Sequence, residues 1–194
     1  MYAYLEGKFT YKSPALVYLD VNGVAYEVNI SLNTYSDIQA KDEGRLYTYL
    51  QVREDAHILY GFSGPSEKEM FQLLISVSGV GAATARMMLS SLRPDEVSAA
   101  IVQGNVKLLE GVKGIGKKTA ERLVLELKDK VGKHTSGSGL NQPVGNSLEQ
   151  DALTALTSLG ISRAQAELSI QKIIRAEPAI VQLEDLIKKA LKAI

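Results

Sequence analysis

Two stretches decide how this chain is read. They are Ile75-Ser76-Val77-Ser78-Gly79-Val80-Gly81-Ala82-Ala83-Thr84-Ala85-Arg86 and Glu110-Gly111-Val112-Lys113-Gly114-Ile115-Gly116-Lys117-Lys118-Thr119-Ala120-Glu121. They align without a gap at a spacing of 35 residues, each reading Gly-aliphatic-Gly, three residues, then Ala. The pattern predicts a helix that ends, a tight turn on two glycines, and a second helix that starts at once. Glycine permits positive φ and the close approach of another group. Val80 and Ile115 are expected to plug into the core, and Ala85 and Ala120 to let helices pack closely. Such a turn offers free backbone N–H groups at a helix start, where the dipole favours an anion. A phosphate fits, and main-chain donors read no base sequence.

One copy of this pattern would suit plain helix packing, but two matching copies with basic flanks point to a duplicated phosphate site. After the second turn come Lys117, Lys118 and Arg122, with Lys118 and Arg122 as i,i+4 neighbours on one helical face. The first copy has Ala82 and Ala83 instead, and Arg86 is its nearest base. The candidate phosphate contacts are therefore Gly79, Val80, Gly81, Arg86, Gly114, Ile115, Gly116, Lys117, Lys118, Thr119 and Arg122. Gly111 to Lys117 also fits the start of a P-loop. Lys118 stands where that motif needs Ser or Thr for magnesium, and no strand pattern precedes Gly111, so a nucleotide site is not expected.

Charge and aromatic residues are unevenly spread along the 194 residues. The formal net charge is zero, yet residues 1–62 carry net −3 and residues 63–133 net +3. Residues 113–133 hold seven Lys or Arg against three acids. A bipolar chain can present a basic face to nucleic acid while neutral overall. All nine tyrosines, with Phe9 and Phe62, fall within residues 1–62, and only Phe71 follows. There is no cysteine, which excludes disulfides, thiolate zinc and a cysteine nucleophile. With only His57 and His134, a histidine metal site is not expected, and no cofactor is implied. Met1–Phe9 lacks a signal-peptide pattern and no long apolar run occurs, so a cytoplasmic protein without membrane association is expected.

The fold class expected is multi-domain α+β. Residues 1–63 read as about five short strands, a small closed barrel of the OB type. Leu16–Val21 and Val24–Ile30 flank Asn22-Gly23, a hairpin signal, and Leu46–Val52 and His57–Phe62 flank Arg53-Glu54-Asp55-Ala56. Residues 64–133 read as an all-α tandem of hairpins, with Ser66 and Glu69 as a capping box and helices near 82–92, 95–103 and 117–130. Residues 134–147, rich in Gly, Ser and Asn, read as a flexible linker with a reach of about 20 Å. Residues 148–194 read as a three-helix bundle over 148–159, 162–175 and 183–191, with Pro178 as an interruption.

The paired turns look like tandem helix-hairpin-helix motifs. Together with Val52–Ala56, Leu59–Phe62 and Gly114–Leu123, they make the whole chain closely resemble the RuvA family, the junction-binding subunits of bacterial branch-migration complexes. The resemblance implies a non-catalytic subunit in DNA recombination, repair and the SOS response to damage. It implies a homotetramer that holds a four-way (Holliday) junction open and flat, one or two tetramers enclosing the DNA. The glycine turns would grip duplex-arm phosphates. Glu54 and Asp55 match the family's acidic pin near the tetramer centre. The C-terminal domain would be a ubiquitin-associated-type bundle that binds RuvB, a hexameric ATPase motor, with Leu156, Leu159 and Ile161 as candidate contacts. The junction resolvase RuvC is a further candidate partner. Ala83 stands where many members have Lys, and Ile161 where an aromatic is common.

Two other functions compete at this level. A helix-hairpin-helix repair enzyme, a glycosylase or lyase, would need a nucleophile or general base near a hairpin. A single-strand binder would use the tyrosine-rich barrel for stacking.

Overall fold

The computed structural model describes residues 2–135, 147–177 and 182–193. The chain divides into two compact units, Met1–Ser138 and Gly139–Ile194. The first opens with a barrel. β1 (Tyr4–Ser13), β2 (Leu16–Val21) and β3 (Val24–Ile30) form an antiparallel meander. Asn22 and Gly23 join β2 to β3 with φ of 53° and 88°, the left-handed pair a two-residue hairpin needs. A short helix, α1 (Leu32–Ile38), leads to β4 (Glu43–Val52), which pairs with β1. β5 (His57–Phe62) pairs antiparallel with β4 and parallel with β3, closing the barrel in the order β1-β2-β3-β5-β4. The expected OB-like barrel is thus present. Its core takes alternate residues, such as Val17 and Leu19 of β2 and Val28 and Ile30 of β3.

Helix α1 was not anticipated from sequence. It has seven residues and buries only Thr34 and Ile38, too few to show a period. Its start is clear once seen: the Ser31 hydroxyl accepts from the Thr34 N–H.

Five helices complete this unit: α2 (Pro65–Ile75), α3 (Ala82–Ser91), α4 (Pro94–Gln103), α5 (Val106–Glu110) and α6 (Lys117–Thr135). The expected Ser66–Glu69 capping box does not form. Gly64 is the N-cap and Pro65 takes the first helical position, where its missing N–H costs nothing. The five-residue α5 was also unforeseen, and α6 runs on to Thr135. Residues 136–146, most of the expected linker, lie outside the described residues.

Barrel and helices share one apolar core. Phe71 of α2 packs against the rings of Tyr49, Tyr60 and Phe62 at 5.5, 5.1 and 4.9 Å. Around this contact runs a polar joint. Glu67, only 4% exposed, accepts from the Ser31 hydroxyl and from the Thr34 hydroxyl at 2.6 Å. Thr34 Oγ1 in turn accepts from the Ser63 N–H at 3.0 Å. Asn33 Nδ2 donates to the Leu89 and Leu92 carbonyls at the end of α3, 2.6 and 3.1 Å away.

The second unit contains α7 (Ser147–Ser158), α8 (Arg163–Ala176) and α9 (Leu183–Ala193), close to the three expected helices. Ser162 caps α8 by accepting from the Gln165 N–H, and Leu153, Leu156, Ile170 and Leu186 fill the core. Pro178 lies outside the described residues.

Candidate nucleic-acid interface

The two glycine corners are built alike, bond for bond. Val77 N–H bonds the Leu74 carbonyl and Val80 N–H the Val77 carbonyl. Their counterparts 35 residues on, Val112 to Leu109 and Ile115 to Val112, have the same lengths, 3.2 and 3.0 Å. Ala85 bonds Gly81 and Ala120 bonds Gly116, both at 2.9 Å, to open the following helix. Val80 and Ile115 are each 5% exposed, so both plugs reach the core as the pattern predicted. Gly79 and Gly114 have φ of 92° and 94°, which only glycine adopts without strain.

The second glycine of each corner has a different cause. Gly81 has φ −82°, Gly116 is not in the left-handed region either, and a Cβ built on either meets nothing within 4 Å. Neither backbone conformation nor neighbouring atoms require glycine there. Gly81 is the N-cap of α3 and Gly116 directly precedes α6, a place where glycine is common, and the space over both backbones is open to an outside group. At the first corner no side chain caps α3, so its opening N–H groups stay available.

The corners lie side by side. Thr119 Oγ1 is 4.0 Å from where a Cβ on Gly79 would stand, and Thr84 Cγ2 is 3.9 Å from the same point on Gly114. Each corner therefore borders the first turn of the other corner's helix, an arrangement with local two-fold character. Gly79, Gly81, Gly114 and Gly116 are all exposed. Thr84 was not singled out from sequence, although it aligns with Thr119 across the repeat.

The basic residues divide into two groups. Lys117 and Lys118 are exposed and make no ion pair among the described residues. Arg122 is exposed and bonds Glu126 at 2.8 Å, an i,i+4 pair that a phosphate can replace at small cost. Arg86 is turned elsewhere: its Nη1 donates to the Ala15 carbonyl at 3.0 Å and to Asn29 Oδ1 at 2.8 Å, both on the barrel. The sequence reading places Arg86 among the DNA contacts as the base nearest the first corner; in the structure its guanidinium is bound to the barrel instead.

Glu54 and Asp55 sit at the exposed tip of the β4–β5 hairpin, closed by the Val52–His57 pairing and an Arg53-to-Ala56 bond of 2.9 Å. In the second unit the candidate contacts split. Leu159 is 63% exposed and Ile161 half-buried, but Leu156 is fully buried in the bundle. A partner does not reach Leu156 in this fold; its place in the helix period is that of a core residue. No cluster of His, Cys, Asp and Glu suited to a metal occurs among the described residues, and no helix there is long and apolar enough to cross a membrane.

Residues 1–61 match the family model for the RuvA N-terminal domain, and residues 71–129 match that of a SAM-like helix-hairpin-helix tandem. Proteins called Holliday junction branch migration complex subunit RuvA are similar along nearly their whole length. The protein from Christiangramia forsetii is 47% identical over 192 residues, that from Cytophaga hutchinsonii 44% over 197, and that from Bacteroides thetaiotaomicron 45% over 200. Each alignment covers 99% of both chains. The chain belongs to the RuvA family. The RuvA N-terminal match covers the barrel and its acidic tip, and the hairpin-tandem match holds both glycine corners.

Proposed function

We propose that this chain is the four-way-junction-binding subunit of a branch-migration complex. The observation that carries the proposal is the pair of adjacent, exposed corners whose second glycines, Gly81 and Gly116, leave open space beside the backbone at a helix start. Each corner takes a backbone phosphate on its main-chain N–H groups, and Lys117, Lys118, Thr119 and Arg122 add charge and hydrogen bonds at the second. Recognition of this kind reads phosphate position and no base sequence.

Four copies assemble around one crossover, and their Glu54 and Asp55 tips place eight carboxylates near its centre. At 4 Å two unit charges repel by about 1 kcal/mol in water and about 4 kcal/mol at an effective dielectric of 20. Phosphates are pushed from the centre and led outward along the basic hairpins, which holds the junction open and flat. Plain duplex gains less from this layout, and selectivity follows from that penalty. The subunit makes and breaks no covalent bond. The C-terminal unit, through the exposed Leu159 and the half-buried Ile161 beside it, recruits the hexameric ATPase RuvB that drives migration. Family membership supports each of these steps.

The test compares a synthetic four-armed junction, duplex and single strands by gel shift, with native mass measurement of the junction complex. The proposal expects the junction bound most tightly, by four or eight copies, and every strand left intact. Equal affinity for all three, or strand cleavage, overturns it.

A further inference from the structure

The acidic tip belongs to the barrel and the corners to the helices. Any recognition that uses both depends on the joint between them. Helix α3 carries the first corner at its N-terminus, and the joint grips it repeatedly. Near its C-terminal end, Asn33 holds the Leu89 and Leu92 carbonyls, and the Leu32 N–H donates to Ser90 Oγ at 3.1 Å. Nearer the corner, five residues past Gly81, the hold is Arg86.

Arg86 Nη1 donates at 2.8 Å to Asn29 Oδ1 on β3. A guanidinium only donates, so Arg86 takes the amide oxygen, and the Asn29 amide nitrogen is left to donate to the Leu59 carbonyl of β5, a long bond of 3.5 Å. β5 is a strand of the acidic hairpin, and Leu59 lies two residues from its first residue, His57. A hydrogen-bond relay thus runs from the helix of the first corner, through Arg86 and Asn29, to the strand behind Glu54 and Asp55. A second bond from Nη1, to the Ala15 carbonyl at 3.0 Å, holds the same guanidinium to the β2–β3 side of the barrel.

We infer that Arg86 is a positioning residue, which sets the acidic tip and the glycine corners at one fixed geometry, and that it does not serve as a phosphate contact. This rests on the junction-binding function proposed above. A phosphate contact and a positioning bond leave different marks. Losing a phosphate contact weakens binding to every DNA and lowers the salt slope by about one. Losing the positioning bond leaves the slope unchanged and lowers the preference for the junction, because duplex engages the corners without the tip.

The experiment measures junction and duplex affinity of the full chain across a salt series for wild type, Arg86→Met, Asn29→Ala and Asn29→Asp. The expected result is an unchanged slope and a junction-over-duplex ratio about tenfold lower in Asn29→Ala, the scale of one lost hydrogen bond to a charged group, and lower still in Arg86→Met, which also loses the bond to Ala15. Asn29→Asp keeps an acceptor for the guanidinium but loses the donor to Leu59, so its ratio should fall less than that of Asn29→Ala. Combining Arg86→Met with Asn29→Ala should lose less than the sum of the two, because the bond between these side chains is already gone in each. A slope lower by about one in Arg86→Met, with Asn29→Ala equal to wild type, overturns the inference. So does an unchanged ratio in Asn29→Ala, a variant that keeps every candidate DNA contact. A wild type without junction preference would instead refute the proposed function itself.

Discussion

At the residue scale the four corner glycines differ in what they do, and substitution should separate them. Gly114→Ala places a side chain at φ 94°, with Thr84 Cγ2 at an unstrained 3.9 Å, so its cost is backbone strain of about 1–2 kcal/mol. Gly116→Ala meets neither strain nor neighbours, and its folding stability should stay within about 1 kcal/mol of wild type. Its DNA affinity should nonetheless fall about tenfold, because the methyl group holds a phosphate off the amides. Urea melts beside a binding titration check both; unchanged affinity in Gly116→Ala would remove the phosphate role of that corner. Glu67 is the residue to watch with pH. Burial pushes its carboxyl above the usual carboxylate range, against the opposing hydrogen bonds from Ser31 and Thr34, and nearby Asp37 pushes the same way. The folded chain therefore holds this proton more tightly than the unfolded chain does. Stability from this group is complete below the ordinary glutamate range and is lost as pH rises through the raised folded value. Glu67→Gln, which does not titrate, should match wild type in acid and gain on it as pH rises through that window, in unfolding free energies measured at each pH. Glu67→Leu strands the Ser31 and Thr34 hydroxyls and should cost about 3 kcal/mol.

At the element scale the tip of the β4–β5 hairpin and the start of α6 carry opposite charge, and the proposed function gives them opposite roles. The hairpin tip exposes Glu54 and Asp55 together, and nothing in the barrel needs them: neither makes a hydrogen bond or ion pair among the described residues. Glu54→Gln with Asp55→Asn should leave the melting temperature in place, strengthen duplex binding and lower the junction-over-duplex ratio. A gel-shift comparison with unchanged relative affinities would end the tip's proposed role. On α6, Lys118→Ala should weaken binding to all sequences alike and reduce the salt slope by about one, as one lost phosphate contact does. A loss that depended on base sequence would contradict recognition through the backbone.

At the scale of the whole molecule, each unit closes its own core. Buried clusters centred on Phe71 and on Leu19 belong to the first unit, and a cluster around Leu156 and Ile170 fills the second. Removing Gly139–Ile194 deletes no residue of the first unit's cores, corners or tip. On the proposed function, residues 1–138 alone should fold and match the full chain in four-way-junction affinity, but fail to stimulate a RuvB-type ATPase. Stimulation by that fragment in an ATPase assay would move the motor contact to the first unit.

The barrel, the hairpin tandem and the three-helix bundle were all legible in the sequence, because each rests on local patterns: period-two strands, Asn22-Gly23, and a 35-residue repeat of glycine corners. Both plugs, Val80 and Ile115, followed from that repeat as well. Helices of five and seven residues escaped because they complete too few turns to show a period. The Ser66 cap failed because the helix starts two residues earlier, at Pro65 after the Gly64 N-cap. Long-range partners decided the rest. Arg86 lies 57 residues from Asn29, and Glu67 36 from Ser31, so no spacing along the chain announces either bond. A side chain's type limits what it can do; which partner it meets depends on how the barrel and helices close on one another, and that is settled only when they share a core.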